Sequence, residues 1–66
     1  MKIQFEYQDS DQPWKPITLN LDIEAADVTK KLDYLKRQFP DCNLRALDEY
    51  HQVLEIRHQD LSHQQT

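Results

Sequence analysis

Residues 17–39, ITLNLDIEAADVTKKLDYLKRQF, change their hydrophobic period within a few positions. In residues 17–23 every second side chain is apolar, which is typical of a half-buried strand. From residue 25 onwards the apolar side chains recur every three or four positions, which predicts one buried face of a helix. That predicted face consists of Ala25, Val28, Leu32, Leu35 and Phe39.

Charges and a proline mark the ends of the predicted helix, residues 25–39. Acidic residues lie near its start and basic residues near its end, an arrangement that complements the helix dipole. Asp22 and Asp27 could each cap the N-terminus, and the sequence favours neither. Pro40 ends the helix because the residue before a proline avoids helical geometry.

The chain before this segment predicts a second strand that forms a hairpin with residues 17–23. Residues 2–8, KIQFEYQ, alternate apolar and polar side chains. Opposed residues of an antiparallel pair share one face of the sheet, so the apolar sets should oppose each other. The predicted pairs are Ile3 with Leu21, Phe5 with Leu19, and Tyr7 with Ile17. The intervening DSDQPWKP contains turn formers and two prolines.

The chain after the helix predicts another hairpin, formed by residues 42–47 and 51–57. Leu54 and Ile56 are expected on its core face. A three-residue loop, residues 48–50, satisfies that parity; its pairs are Leu47 with His51, Leu44 with Leu54, and Cys42 with Ile56. Such loops usually contain glycine in left-handed geometry. Since the chain has no glycine, either a non-glycine residue adopts positive φ or the loop lengthens to five residues.

The element order predicts an α+β fold, ββαββ, with a four-stranded sheet and one helix packed on one face. The preferred strand order is 2-1-4-3, in which the last strand runs parallel to the first at the centre of the sheet. In the alternative, the two hairpins meet differently and leave an outer edge available for dimerisation. Residues 1–58 are predicted to form a single domain, and residues 59–66 are predicted to be a frayed tail.

The first half of the chain resembles the ubiquitin-like β-grasp proteins. The resemblance covers residues 1–36 and rests on MKIQFEY, the loop, and then PITLNLDIEAADVTKKLDYLK. It implies a strand–turn–strand–helix order and the β-grasp strand arrangement. The chain ends in QQT rather than in a diglycine, so no residue matches the one that carries that family's conjugation or sulfur-carrier chemistry.

Size and composition exclude several classes of function. The chain has 66 residues and no glycine, which excludes glycine-rich phosphate loops and EF-hand loops. A core of this size leaves little room for a deep pocket, so an enzyme with a small-molecule substrate is not expected. Cys42 is the single cysteine and is expected on the core face, and the three histidines are dispersed. No catalytic, cofactor or metal site is therefore predicted.

Two hydrophobic features predict a partner-binding surface. Trp14 lies in a loop between Pro13 and Pro16; it either contacts a protein partner or folds back over the edge of the sheet. Leu47 and Val53 are expected on the sheet face away from the helix. We therefore expect a small non-catalytic protein-interaction or regulatory module, with a homodimer as one form. A cytoplasmic location is expected, without membrane binding.

A basic side of the helix supports an alternative function. It carries Lys30, Lys31 and Arg37 and could contact phosphate, so the protein would be a nucleic-acid-associated regulator that docks through this side. Asp27 is spaced to pair with Lys31 on a solvated helix face. The formal net charge is -4, which disfavours nucleic-acid binding.

Overall fold

In a computed structural model, residues 1–59 are described and fold into four strands and one helix. The elements are β1 (Lys2–Asp9), β2 (Lys15–Asp22), α1 (Ala25–Gln38), β3 (Cys42–Leu47) and β4 (Val53–Arg57). Within these residues the strand order is β2-β1-β3-β4, and every neighbouring pair is antiparallel. The expectation of an α+β fold with one helix is confirmed, and the sheet is open and antiparallel.

The preferred strand order 2-1-4-3, and with it the β-grasp arrangement, is wrong for the described residues. β1 lies beside β3, in a ladder that runs from Gln4↔Leu47 to Asp9↔Cys42. Two buried side chains of β3, Leu44 and Ala46, contribute to the core next to β1. β4 instead directs charged side chains toward the helix, as described below, and a strand with charges on its core side belongs at a sheet edge.

The core lies between α1 and one face of β1 and β3. Its buried members are Ile3, Phe5, Val28, Leu32, Leu35, Leu44 and Ala46. Predicted positions Val28, Leu32 and Leu35 form the buried stripe of the helix, whereas Ala25 is exposed. At one end of the core the rings of Tyr7 and Phe39 stack with centroids 5.5 Å apart. The helix therefore covers one side of the sheet only.

Neither predicted aspartate caps the helix. The N-cap residue is Glu24, whose side chain makes no capping hydrogen bond; its carbonyl oxygen accepts from the amide of Asp27 at 2.9 Å. Asp22 accepts a hydrogen bond from the N-terminal ammonium of Met1, also at 2.9 Å. That contact lowers the pKa of the Asp22 carboxyl. Asp22 therefore ties the first residue to the end of β2.

The first hairpin matches its prediction at one end only. Ile3 pairs with Leu21 as expected, but Phe5 opposes Thr18 and Tyr7 opposes Lys15. Two register shifts place extra residues in β2. Pro16, which opposes Glu6, has no amide hydrogen for a ladder bond, and this favours an irregular pairing.

The second hairpin has the longer of the two expected loops. Leu47 pairs with Val53, so the loop consists of residues 48–52 rather than 48–50. His51 adopts φ 63°, in the left-handed region that glycine would normally occupy. The loop is closed by Asp48, whose Oδ1 accepts from the amides of Tyr50 at 2.8 Å and Gln52 at 2.9 Å.

A bulge directly after this loop reverses the expected orientation of β4. Leu47 opposes Val53 but the preceding residue, Ala46, opposes Glu55, so Leu54 is the extra residue. One inserted residue moves every later side chain to the other face. The prediction that Leu54 and Ile56 lie on the core face is therefore wrong, and both are exposed.

Substitutions of two leucines should separate the observed register from the predicted one. Leu44 is fully buried, whereas Leu54 is 43% exposed. We expect Leu44→Ala to lower the free energy of unfolding by about 2–5 kcal/mol and Leu54→Ala to change it by less than about 0.5 kcal/mol. Chemical denaturation at low protein concentration measures both; equal losses would indicate that both leucines occupy the core.

The backbone of the second loop should accept glycine at one position. Left-handed geometry costs a non-glycine residue about 1–2 kcal/mol, so His51→Gly should raise the free energy of unfolding by up to that amount. His51→Val should lower it, because a β-branched residue is least suited to positive φ. Denaturation of the two variants is the measurement, with Gln52→Gly as the control. Destabilisation by His51→Gly beyond the control would contradict the observed loop.

Candidate interaction surface

The side of the sheet that α1 leaves uncovered is the candidate site. Because side chains alternate along a strand, residues next to the core positions of β1, β3 and β4 point away from the helix. We name this side the open face, and its members are Gln4, Glu6, Gln8, Asn43, Arg45, Leu47, Val53, the bulged Leu54 and Ile56. It divides into a polar half on β1 and β3 and an apolar half along β4.

The polar half is a network of side chains that form hydrogen bonds with one another. Glu6 is 8% exposed, and its Oε1 accepts from Nε of Arg45 at 2.7 Å. Its Oε2 accepts from Nε2 of Gln4 at 2.5 Å. One step along the ladder, Nδ2 of Asn43 donates to Oε1 of Gln8 at 2.9 Å. A buried carboxylate that holds both oxygens in charge-assisted contacts is a structural anchor.

Trp14 packs against this network. Its ring lies 4.2 Å from the guanidinium carbon of Arg45 in a cation–π contact, and its side chain is half-buried. The loop therefore folds back over the sheet, the second of the two expected arrangements. Stacking and ion pairing together fix Arg45 from both sides. A direct role of Trp14 in partner binding stays a prediction.

The apolar half contains the two predicted residues Leu47 and Val53, which directly oppose each other. Leu47 is 3% exposed and Val53 is 52% exposed. Beside them lie Leu54 and Ile56, 43% and 41% exposed, which sequence reasoning assigned to the core. The sequence contained one indication of this exposure. Leu47 and Val53 were expected on the sheet face away from the helix, so that face was not expected to be wholly polar.

On its other side, β4 is attached to α1 by polar contacts. Glu55 accepts from the hydroxyl of Thr29 at 2.8 Å and pairs with Arg57, whose guanidinium also reaches Asp33. Hydrogen bonds from Arg57, and then from Thr29, lower the pKa of the Glu55 carboxyl. Glu55 therefore contributes stability that is present above the ordinary glutamate pKa and lost as the pH falls through the lowered value.

β4 is also an edge strand. Within residues 1–59 it pairs with β3 alone, so no residue of this range pairs with the amide and carbonyl groups of its other side. Lys36 holds the end of the strand through a hydrogen bond from Nζ to the carbonyl of His58 at 2.7 Å. Gln59, at the start of the predicted tail, donates its amide to Asn43 at 2.7 Å, while residues 60–66 lie outside the described part.

The basic side of the helix is less concentrated than expected. Lys30 and Lys31 border a shallow groove of about 400 Å³, which Ile23, Asp27 and Tyr34 also line. Nζ of Lys31 lies 5.3 Å from the ring centre of Tyr34, and no ion pair joins Lys31 to Asp27. Arg37 is exposed outside this groove. The structure therefore brings two of these three cations together, beside an acidic residue.

The side chains that could bind a metal or act as a nucleophile do not cluster in the described part of the chain. No three His, Cys, Asp or Glu residues among residues 1–59 are placed to hold a metal ion; His63 lies beyond that range. Burial, followed by Asp9 and Asp41, raises the pKa of the half-buried Cys42 thiol, which lowers its nucleophilicity at neutral pH. None of the described helices is long and apolar enough to cross a membrane.

Comparisons with known proteins identify no relative of this chain. No protein-family model, no curated protein and no solved structure matches the chain significantly. The surface described above is therefore the basis on which a function can be argued.

Removing the centre of the polar half should destabilise the fold and alter its fluorescence. Arg45→Gln leaves the buried Glu6 carboxylate without its cation, and we expect a loss of about 1.5–3 kcal/mol in the free energy of unfolding. Emission of Trp14, the single tryptophan, should shift because its cation is lost. Arg37→Gln is the matched control. Unchanged stability and emission in Arg45→Gln would contradict the contact.

Proposed function

We propose that the protein is a small non-catalytic protein-interaction module that binds its partner through β4 and the apolar half of the open face. The observation that carries this proposal is the exposed stripe formed by Val53, Leu54 and Ile56 on an edge strand. Apolar side chains beside unpaired backbone groups suit the addition of a strand from another chain. A regulatory role in the cytoplasm is part of the same proposal.

The absence of a catalytic role is supported by the chemistry of the described side chains. Glu6 and Arg45 neutralise each other, and Cys42 has a raised pKa. The groove of about 400 Å³ beside α1 is shallow and contains two cations and one carboxylate. We therefore propose no small-molecule substrate, cofactor or metal for this protein.

Affinity capture with paired variants tests the proposal. Val53→Lys with Ile56→Lys places charges on the apolar half, while Tyr34→Lys, at an apolar position that is 51% exposed on the helix, is the matched control. Proteins retained by the wild type and by Tyr34→Lys should be lost from the double variant, and the strongest should bind again as purified protein. An identical set of retained proteins on all three baits would contradict the proposal.

The alternative, a nucleic-acid-associated regulator that docks through the basic side of α1, has less support. Its cations are Lys30, Lys31 and Arg37, and the net charge of the chain is -4. It requires binding to DNA or RNA that weakens steeply with salt and is abolished by replacing all three cations with glutamate. We expect no change in the fluorescence anisotropy of labelled oligonucleotides at low salt; saturable, salt-dependent binding would favour the alternative.

A further inference from the structure

The two edges of the sheet differ in how they are protected from pairing with another chain. β2 begins with Lys15 and Pro16 and pairs with β1 through two register shifts. Lysine, proline and irregular pairing are the features that keep natural edge strands from adding further strands. β4 has no lysine or proline, although its bulge and its two charges toward the helix belong to the same set of features. β4 differs from β2 in the exposed apolar side chains of Val53, Leu54 and Ile56, which favour it as the edge that accepts a strand.

Symmetry limits the registers in which β4 of a second copy could pair with β4 of the first. A two-fold axis between antiparallel neighbours runs perpendicular to the sheet, so one residue must oppose its own copy. Pairing centred on Glu55 or on Arg57 would place like charges directly opposite each other, which is destabilising. Pairing centred on Leu54 would place the bulged residue at the axis.

Pairing centred on Ile56 gives charge complementarity. Glu55 of each copy then opposes Arg57 of the other, and Leu54 opposes His58. Glu55 and Arg57 both lie on the helix side of the sheet, because they oppose Ala46 and Leu44, so the two Glu–Arg pairs form on one face. Within each chain the Arg57 guanidinium is already shared between Glu55 and Asp33, so in the dimer it would share the Glu55 carboxylate of the copy as well.

The same register assembles the exposed apolar residues on the opposite face. Ile56 meets its own copy at the axis, and the two sets of Val53 and Leu54 flank it. Side chains that are 41–52% exposed in one chain thus form one patch that spans the axis, next to the buried Leu47. Burial of this surface is favourable, and a small domain gains much of its stability by association.

We propose that the partner of β4 is a second copy of this chain, paired antiparallel across a two-fold axis at Ile56. The two sheets join into one continuous sheet with both helices on the same side. This inference rests on the proposed function, since it names the partner of the same edge strand.

Disulfide trapping tests the register. In a Cys42→Ser background, Ile56→Cys places two thiols directly across the axis, within the Cα separation that a disulfide spans. Val53→Cys is the matched control, since its copy lies about 20 Å away along the strands. We expect mild oxidation to give a covalent dimer with Ile56→Cys and little with Val53→Cys. Equal trapping of the two, or none with a folded Ile56→Cys protein, would overturn the register.

Charge exchange tests the same pairing without a covalent link. Glu55→Arg alone and Arg57→Glu alone each create like-charge contacts between copies, and both should sediment as monomers. Their equimolar mixture restores two Glu–Arg contacts and should sediment as a dimer. Wild type should be a dimer at high micromolar concentration, and Lys2→Glu, a change remote from β4, should leave it so. A mixture that stays monomeric while the wild type dimerises would assign the dimer to another surface and overturn this register.

The remaining outcomes separate this inference from the proposed function. A monomeric wild type whose double variant Val53→Lys with Ile56→Lys loses a captured protein would overturn self-pairing and support a different protein partner. A monomeric wild type with β4 edge amides protected from hydrogen exchange would assign the edge to residues 60–66 of the same chain and overturn self-pairing. A monomer with exchanging amides and no captured protein would contradict both proposals.

Discussion

The loop of residues 48–52 is the constraint that decides which side chains of β4 face the helix and which are exposed. A chain without glycine closes its second hairpin with His51 at φ 63° and with the carboxylate of Asp48 accepting two loop amides. The bulge at Leu54 follows at once. That one extra residue directs Glu55 and Arg57 toward the helix and Leu54 and Ile56 away from it.

The orientation of β4 explains both its place and the weakness of its attachment. Charged residues facing the helix make contacts with Thr29 and Asp33 instead of adding to the core, so β4 suits the edge and β3 takes the position beside β1. Ion pairs of this exposure contribute only about 0–1 kcal/mol each. The buried core consists of residues of β1, α1 and β3, so β4 is available for association.

The open face combines a polar half, whose side chains contact one another, and an apolar half, whose side chains on β4 are exposed. Glu6, Arg45 and Trp14 form a closed set of contacts, so these polar and aromatic groups stabilise the fold whether or not a partner binds. The stripe on β4 has no such cover in the described residues. Association through β4 would therefore leave the polar half intact.

The sequence predicted the features that depend on local period. The boundaries of the helix, the choice of which strands form each hairpin, and the buried stripe of Val28, Leu32 and Leu35 follow from apolar spacing and from Pro40. It could not predict the bulge, because VLEIR offers two alternating faces and the choice between them depends on contacts with Thr29 and Asp33, which are distant in the chain. The same limit applies to Trp14, whose position depends on Arg45 in a strand beyond the helix.

Nuclear Overhauser contacts of β4 side chains test whether the bulge turns Glu55 and Arg57 toward α1. We expect contacts from the Glu55 side chain to the methyl group of Thr29, and none from the Ile56 methyl groups to Leu32 or Leu35. Contacts from Ile56 to those two leucines would show instead that β4 presents its apolar residues to the core and that the bulge is absent.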